Sequence, residues 1–421
     1  MRRSCARQIV IKRDDLTKPS NYEWGKLGLD SKVAKLHKLA NPSFRIDDNA
    51  PYAELWMGTH SNAPATIKAT GDLLSDIIAD SPTCLGEPVR LQFGDQLPFL
   101  LKVLSVNKAL SIQAHPSKDI AEKLHAEHPE LYKDPNHKPE FAIALTRFEA
   151  LCGFRPIEEI KEFMKSVREL RAIVGVDIAE NFICSNGLNE KDALQACFRS
   201  MMTCPQDQVT EQLKQMLFKF SQLDKEARAA QLAPLLERLY VQYPNDIGCF
   251  VIYFLNHVVL EPNQALYLGP NEPHAYLSGD CVECMACSDN IVRAGLTPKY
   301  KDVETLCMML TYDSKPAHKQ LLQPIIEDPY CQLFAPPVPD FAVIRMEIPA
   351  ALGDYKLKAR NSASIVIVIG GFGKIKGAPI KAGTVLFFPA NDESKIEGIT
   401  QDVLLFQAMA NVPDLEISDS D

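Results

Sequence analysis

A block of helical periodicity enclosed by strand-rich text is the feature that most limits how this chain can fold. Apolar residues recur at helical spacing in residues 157–170, and the pattern returns in residues 208–223 and 226–240. The text on both sides is β-branched, apolar and broken by short turns. We therefore predict a mostly helical segment from about residue 155 to 245 within a mainly β protein. A chain of 421 residues is long enough for two or three domains.

The strand-rich text before the helical block contains one lysine, Lys102, in an apolar run. Residues 98–112, PFLLKVLSVNKALSI, are apolar and β-branched with short polar breaks, which predicts buried strands joined as a hairpin. Strand character resumes at Gly248 in the apolar run CFVIYFLNHVVL. Lys102 stands inside the first run, where a lysine is costly unless it points into a polar cavity or forms a pair. A lysine that extends along a strand edge to solvent is the alternative, and the pattern favours neither.

Two short passages far apart in the chain resemble each other. QALYLGPNEPHAY (residues 264–276) and GTVLFFPANDES (residues 383–394) both read as a strand, a proline and a polar loop. The passage SIVIVIGGFGKI (residues 364–375) reads as a pair of strands across two glycines. The repetition predicts two jelly-roll barrel units, of which only the first keeps a histidine after the proline.

Composition excludes several classes of protein. The formal net charge is −9, which argues against binding to nucleic acid or to an anionic membrane surface as the main activity. The sequence contains no run of about 18 apolar residues, so no membrane span is predicted. The N-terminus lacks the apolar core of a secretion signal. The 12 scattered cysteines therefore predict reduced thiols in a cytoplasmic protein. The acidic end, DLEISDSD, is typical of a solvated tail.

Four residues in three separate passages offer metal ligands. Gln113 and His115 are two apart, which on a strand places both side chains on one face. Glu140 follows the polar passage DPNHKP, and His274 follows a proline at the end of a predicted strand. Two imidazoles, a carboxylate and an amide oxygen suit a divalent transition metal with an open coordination position. These ligand types fit zinc, manganese or iron, and the residues alone do not choose among the three.

A run of cysteines offers a different metal site. Cys281, Cys284 and Cys287 form a C-x-x-C-x-x-C pattern, which is typical of an iron–sulfur or zinc centre. No fourth cysteine stands close to the run, since Cys307 and Cys331 are isolated. As part of a strand, the same thiols would serve as small apolar side chains.

Charged residues stand close to the predicted ligands in the sequence. Arg293 and Lys299 lie in RAGLTPK, whose glycine and proline predict a tightly shaped loop, and Lys138 lies two residues before the predicted carboxylate ligand. These cations either balance the charges of Glu283 and Asp289, or bind a phosphate and stabilise a developing oxyanion. The residues alone leave both interpretations open.

At these residues the chain resembles the type I phosphomannose isomerases. YKDPNHKPE (residues 132–140) fits the first motif of the family throughout, and residues 274–299 fit every fixed position of the second. The passages LPFLLKVLSVNKALSIQAHP (residues 97–116) and APYAELWMGTH (residues 50–60) also read as family text. The resemblance begins at about residue 22 and is weakest through the helical region and near the end. The second motif leaves the three cysteine positions free, which weakens the case for a thiolate centre.

The resemblance implies a cupin fold that is mainly β. The implied domains are a catalytic domain over residues 1–154 and 248–334, a helical insertion over 155–247, and a second, cupin-like β domain over 335–421. It implies one zinc ion per chain, bound by Gln113, His115, Glu140 and His274. It also implies a catalytic arginine at Arg293, pocket lysines at Lys138 and Lys299, and phosphate-binding residues at Ser111 and Lys102.

The implied reaction interconverts mannose 6-phosphate and fructose 6-phosphate through a cis-enediolate. A monomeric cytoplasmic enzyme is expected, with a sugar phosphate as its partner and a product that leads to GDP-mannose and mannosylation. Among the groups that could carry the proton between C2 and C1, Glu283 is the first candidate, ahead of Lys138 and Asp289. Two other classes stay open: a cupin dioxygenase or epimerase with iron or manganese, and a cupin without catalysis that serves as a binding or scaffold protein.

The N-terminus departs from the family pattern. Family members open with a short strand that leads directly into a Y-x-W-G-K passage, which is present here as NYEWGKLG (residues 21–28). The preceding text, MRRSCARQIVIKRDDLTKPS, does not fit that strand. We therefore expect the first strand to be displaced or replaced.

Overall fold

The computed structural model describes residues 7–10, 12–13 and 22–413, in which strands dominate on both sides of a helical segment. No helix within these ranges combines the length and the apolar character needed to cross a bilayer. The elements before the helical segment are β1 (Arg7–Val10), β2 (Lys12–Arg13), β3 (Lys26–Leu27), α1 (Lys32–Ala40), β4 (Pro51–Tyr52), β5 (Glu54–Met57), β6 (Thr66–Ile67), α2 (Leu74–Asp80), α3 (Glu87–Phe93), β7 (Phe99–Val106), β8 (Ile112–Ala114), α4 (Lys118–Glu127), β9 (Glu140–Ala144) and β10 (Phe148–Phe154).

The predicted helical segment is present and packs by its apolar faces. It consists of α5 (Ile157–Ser166), α6 (Arg168–Val174), α7 (Val176–Cys184), α8 (Glu190–Met202), α9 (Gln206–Gln222), α10 (Lys225–Ala230) and α11 (Ala233–Gln242). Helix α9 buries Val209, Leu213, Met216 and Phe220, which follow one another at helical spacing and form part of the core. The strand expected from Gly248 is wrong in its first half, because Ile247–Tyr253 is a fully buried 3-10 helix. A short apolar run does not distinguish a buried helix from a buried strand.

Strands return after that turn and continue to the end of the described chain. They are β11 (Leu255–Leu260), β12 (Ala265–Leu268), β13 (His274–Ala286), β14 (Val292–Gly295), β15 (Leu321–Leu322), β16 (Ile325–Asp328), β17 (Cys331–Phe334), β18 (Ala342–Ile348), β19 (Tyr355–Lys356), β20 (Ser364–Ile375), β21 (Ala378–Lys381), β22 (Val385–Phe388) and β23 (Lys395–Met409), with one helix, α12 (Val303–Met309), between β14 and β15. The result is the expected mainly β architecture with a helical insertion.

The first sheet is organised around its longest strand, β13. Along the sheet the order is β15-β12-β9-β13-β7-β5-β2, and β8 and β10 pair with other parts of β13. The hairpin predicted for residues 98–112 is wrong, because β7 and β8 pair with β13 and not with each other. The chain leaves β7 through Asn107 and Lys108, whose backbone N–H groups donate to the carbonyl of Trp24. Strand β13 thus gathers residues from distant parts of the sequence.

The second sheet has the order β16-β17-β18-β23-β20-β22-β1-β6. The predicted strand pair across Gly370 and Gly371 is wrong, because residues 364–375 form the single strand β20. Its register against β23 shifts on both sides of Gly370, and Gly371 has a φ of +90°. The glycines therefore bend one strand where a turn was expected.

The N-terminal backbone connects the two sheets. Strand β1 pairs with β22 of the second sheet on one side and with β6 on the other, and β2 pairs with β5 of the first sheet. Strands are therefore present in the described part of the N-terminus. The sheets also share a core, in which Phe141, Val282 and Cys284 from the first sheet pack with Phe334, Ile365 and Phe406 from the second.

Candidate active site and metal centre

The first sheet brings the four predicted metal ligands to one place. Strand β8 carries Gln113 and leads directly to His115, while Glu140 begins β9 and His274 begins β13. Because β8 and β9 both pair with β13, His274 lies opposite Gln113. The ligand atoms of His115, Glu140 and His274 are all within 4.8 Å of one another, and the three side chains are buried.

The distances among these atoms fit a single four-coordinate ion. Ligands about 2.0–2.2 Å from one tetrahedral ion are about 3.3–3.6 Å from each other. Glu140 Oε1 is 3.2 Å from His115 Nε2, and its Oε2 is 3.5 Å from His274 Nε2. Gln113 Nε2 is 3.4 Å from both imidazole Nε2 atoms. A half-turn of the Gln113 amide would present Oε1 to the same point.

Backbone carbonyls orient both imidazoles towards the ion position. His115 Nδ1 is 2.7 Å from the carbonyl oxygen of Asn290, and His274 Nδ1 is 3.0 Å from that of Glu272. A carbonyl only accepts, so each ring carries its proton on Nδ1 and keeps Nε2 as a free lone pair. This arrangement of outer partners is typical of metal-binding histidines.

The electrostatics of the ligand set also suit a metal. Burial lowers the pKa of His115 to about 4, which keeps the ring neutral and able to coordinate. Burial alone would raise the pKa of Glu140, but His115 and Lys138 hold it well below its usual value. Lys138 Nζ lies 3.2 Å from Glu140 Oε1. The site therefore offers a neutral imidazole at His115 and an ionised carboxylate at Glu140, the forms that bind a divalent ion.

Gln113 and Glu140 line a cavity of about 570 Å³ that also contains two sets of charged side chains. In the first set, Lys102 Nζ is 3.3 Å from Glu283 Oε2, and both side chains are buried. In the second set, Arg293 and Lys299 form no salt bridge among residues 22–413, although the charge of Glu54 acts to raise the pKa of Lys299. Burial lowers the pKa of both groups, and the charge of Arg293 lowers the pKa of Lys299 further. Two unbalanced cations in a partly buried position form a site for an anion.

Asp289 lies on the cavity wall and is held by a histidine from outside the predicted set. His60 Nε2 is 3.3 Å from Asp289 Oδ1, and His60 Nδ1 accepts the backbone N–H of Asn62. Because a backbone N–H only donates, a neutral His60 carries its proton on Nε2, which faces the carboxylate. This contact lowers the pKa of Asp289. His60 belongs to the WMGTH passage, but a lone histidine gave no signal of its partner.

Asp134 connects the two long motifs, a role that was not predicted from the sequence. Its Oδ1 accepts from the hydroxyl of Ser288, and its Oδ2 accepts from the backbone N–H of Asp289. Asn290 donates to the backbone carbonyls of Asp134 and Asn136. The only available signal was the density of Asp, Asn and Ser in both motifs, which are residues that bond to turn backbones.

A bulge in β13 decides which of its side chains face the cavity. His274 and Glu283 are nine residues apart, so strict alternation would place them on opposite faces. The register of β13 against β10 shifts between Tyr276 and Ser278, next to Gly279 with its φ of +114°. A Cβ at Gly279 would lie 2.5 Å from the carbonyl oxygen of Arg147. The shift therefore lets one strand supply both residues to the site.

The three cysteines of the second motif do not converge. Cys281 packs with Leu104 and Tyr276, whereas Cys284 lies on the opposite face in the core shared by the two sheets. Cys287 packs near Met285. Burial raises the pKa of all three thiols, which keeps them protonated and poor as ligands. The apolar interpretation of these residues is the one that agrees with the structure.

Comparisons with known proteins point to one family. Residues 16–157 match the catalytic domain of type I phosphomannose isomerase, residues 173–255 its helical insertion domain, and residues 332–377 its C-terminal part. Mannose-6-phosphate isomerase of Mus musculus is 47% identical over 404 residues, covering 92% of this chain and 96% of the mouse protein. The Homo sapiens protein of the same name is 45% identical over 405 residues, with the same coverage.

Solved structures agree with the sequence relatives. A variant of phosphomannose isomerase from Salmonella typhimurium superposes with a TM-score of 0.81 at 29% identity, covering 97% of this chain and all of that one. A mannose 6-phosphate isomerase bound with zinc and yttrium superposes with a TM-score of 0.79, again at 29% identity and with the same coverage.

Proposed function

The chain belongs to the type I phosphomannose isomerase family, and from this premise we propose that it interconverts mannose 6-phosphate and fructose 6-phosphate through a cis-enediolate. It is a mannose-6-phosphate isomerase of cupin-like fold with one zinc ion per chain. The observation that supports the mechanism is the shared cavity, in which a four-ligand metal site, a buried carboxylate and unbalanced cations face one another.

The reaction requires a proton to move between C2 and C1 of the open sugar. A carbon acid next to a carbonyl is weak, so the negative charge of the enediolate must be stabilised. When bound, zinc polarises a carbonyl or hydroxyl oxygen as a Lewis acid. Arg293 adds a fixed positive charge at the cavity wall, close to the ligands because it pairs with Gln113 in the β8–β14 register.

Glu283 is the group that we propose as the proton carrier. Its carboxylate is buried at the cavity wall, and burial raises its pKa although Lys102 opposes the shift. A carboxylate with a raised pKa is better matched to accepting and returning a proton near neutral pH. Asp289 is a weaker candidate because its pKa is lowered, and Lys138 is already in contact with Glu140.

The phosphate of the substrate is proposed to bind beside Lys299 and Ser111. Both residues line the cavity, Lys299 forms no salt bridge among residues 22–413, and the Ser111 hydroxyl donates to Gln113 Oε1. A dianionic phosphate would neutralise the repulsion between Arg293 and Lys299. Binding there would place the sugar carbons between the ligand site and Glu283.

Further parts of the assignment are proposals of the same kind. The division at residues 154/155 and 247/248 is supported by the change from strands to helices and back. The division at 334/335 lacks this support, because β17 and β18 on its two sides pair in the second sheet. A cytoplasmic location is supported by the described cysteines, which are all free thiols. A role in the supply of GDP-mannose follows from the proposed product.

An assay that couples fructose 6-phosphate formation to a reporter enzyme tests the function directly. The zinc-loaded chain should convert mannose 6-phosphate without oxygen, and absence of turnover would reject the proposed reaction. Arg293→Ala should keep its fold and zinc content while losing about 10²–10³ in turnover, because a positive charge near the enediolate is removed. Arg147→Ala, which removes a cation of a salt bridge outside the cavity, is the matched control. Normal turnover of Arg293→Ala would exclude its assigned role.

A further inference from the structure

Three residues form a continuous row across the first sheet in the wall of the cavity. Trp56 on β5 lies opposite Lys102 on β7, and Lys102 lies opposite Glu283 on β13. Residues opposite each other on neighbouring strands project from the same face. All three line the cavity, so the row forms part of its wall.

The charge of Lys102 is fully engaged within this row. Its Nζ is 3.3 Å from Glu283 Oε2 and 4.5 Å from the centre of the Trp56 ring. Behind the ring, the indole N–H of Trp56 donates to Glu54 Oε2 at 2.5 Å. Lys102 is only 5% exposed, and although burial would lower its pKa, Glu54 and Glu283 raise it. The ammonium group is therefore held charged between two carboxylates and an aromatic face.

The surroundings of Lys102 are unfavourable for a phosphate. A dianion placed there would approach the buried carboxylates of Glu54, Glu140 and Glu283. It would also have to displace the existing ion pair, which in a buried position costs more than it returns. Arg293 and Lys299, which line the same cavity, form no salt bridge among residues 22–413, although the charge of Glu54 also acts on Lys299. Lys102 on β7 is thus already paired with Glu283 inside the protein.

We propose that Lys102 is a positioning residue for Glu283, supported by Trp56 and Glu54, and that it does not hold the substrate phosphate. The inference rests on the proposed function, because it gives Lys102 a task in that reaction. The ammonium group of Lys102 contacts the carboxylate of Glu283 directly and fixes its direction. A base that is held in one direction keeps the geometry that proton transfer needs.

Two substitutions and one simple probe separate this role from phosphate binding. The probe is inorganic phosphate, measured as a competitive inhibitor of the zinc-loaded enzyme. Lys102→Met should lower kcat about tenfold or more while KM and the phosphate inhibition constant change less than about twofold. Lys299→Met, the matched control, should raise the inhibition constant about tenfold with a smaller effect on kcat. Lys102→Arg should recover much of the lost turnover.

A second measurement shows whether Lys102 acts through Glu283. In an enzyme that already carries Glu283→Gln, the further change Lys102→Met should alter kcat less than about twofold, since no carboxylate remains to be positioned. This double variant removes both members of the buried ion pair, and Glu54 keeps its hydrogen bond from the Trp56 indole, so the variant stays informative if the single variant fails to fold. The proposal is overturned if Lys102→Met weakens phosphate inhibition as much as Lys299→Met does. It is also overturned if Lys102→Met lowers kcat by the same factor in the Glu283→Gln enzyme as in the unaltered enzyme. Failure of the proposed function itself would be seen in the unaltered enzyme.

Discussion

Two turns of this molecule share a shape and differ in what they carry. Strands β12 and β22 are each four residues long and each is followed by a proline and then an asparagine with a φ of 59°. The backbone N–H of Asn271 donates to the carbonyl of His115 at 2.7 Å, and that of Asn391 donates to the carbonyl of Arg360 at 2.6 Å. The sequence echo between the two passages thus corresponds to a repeated local geometry.

The contents of the two turns explain why only one of them belongs to a metal site. Three residues after Asn271 stands the ligand His274, whereas three residues after Asn391 stands Ser394, which donates to Asp392. The place of His115 is taken by Arg360, whose guanidinium is 2.8 and 2.5 Å from the two oxygens of Glu327. The same backbone frame therefore supports a ligand tetrahedron in one unit and an internal ion pair in the other.

Substitution of His274 should give the largest difference in effect between the two turns. His274→Ala deletes one of the proposed ligands, so we expect zinc content below about one-tenth of the original and loss of isomerase activity. Ser394→Ala, at the matching position, should cost about 1 kcal/mol of stability and leave zinc and turnover unchanged. Elemental analysis and the coupled assay measure both. Full zinc in the His274 variant would refute the ligand set.

The ion pair of the second turn should matter for stability alone. Arg360→Met leaves Glu327 without its main partner, and we expect a loss of about 2–3 kcal/mol in the free energy of unfolding. Lys358, whose Nζ is 3.0 Å from Glu327 Oε1, limits the loss. Denaturant titration measures the change, with zinc content and turnover as the controls. An equal loss of zinc would show that the two units are not independent in this respect.

The paired asparagines allow a finer comparison. In both Asn271→Ala and Asn391→Ala, an alanine must adopt the left-handed backbone conformation that the asparagine has. Alanine disfavours a positive φ, so each substitution should lower the free energy of unfolding by about 1 kcal/mol. Only Asn271 is bonded to a metal ligand, so its variant should also bind zinc about tenfold more weakly. Competition with a chromogenic chelator measures the affinity. Weakened zinc binding in the Asn391 variant would contradict this reading.

The smallest expected effect is a pH dependence confined to the second turn. The bond from Arg360 lowers the pKa of Glu327 to about 2, although burial opposes the shift. A carboxylate whose pKa is lower in the folded protein stabilises the fold at any pH above its pKa in the unfolded chain. This contribution is lost as the pH falls towards 2. The zinc-free chain should therefore lose stability between about pH 4.5 and 2 more steeply than Glu327→Gln. Identical slopes would exclude the assignment.

The sequence was sufficient to find the candidate metal-binding residues and insufficient to find the residues that hold the surrounding loops. Gln113, His115, Glu140 and His274 could be found because metal ligands need rare side chains at defined positions, and the structure brings them together. The helical segment was predictable because its period is strong. Asp134 and His60 escaped notice, since their partners are more than 150 residues away in the chain. Such contacts depend on the fold and leave no local pattern.

The errors also have physical causes. Periodicity describes a strand but does not name its neighbour, so β7 and β8 were joined as a hairpin although the long strand β13 pairs with both. Paired glycines are typical of turns, yet in β20 they only bend a strand that continues. The orientation of Glu283 depended on a bulge at Gly279, because a single extra residue reverses which side chains face the cavity.

The first strand of the chain has a consequence for the order of assembly. Arg7, Gln8 and Ile9 pair with Phe387, Leu386 and Val385, which are very distant from them in the sequence. Contacts of such high sequence separation form slowly, because a long loop must close before they return any stability. The seam between the two sheets is therefore expected to form late in folding. Without residues 7–10, the second sheet would expose the edge of β22, where another chain could pair.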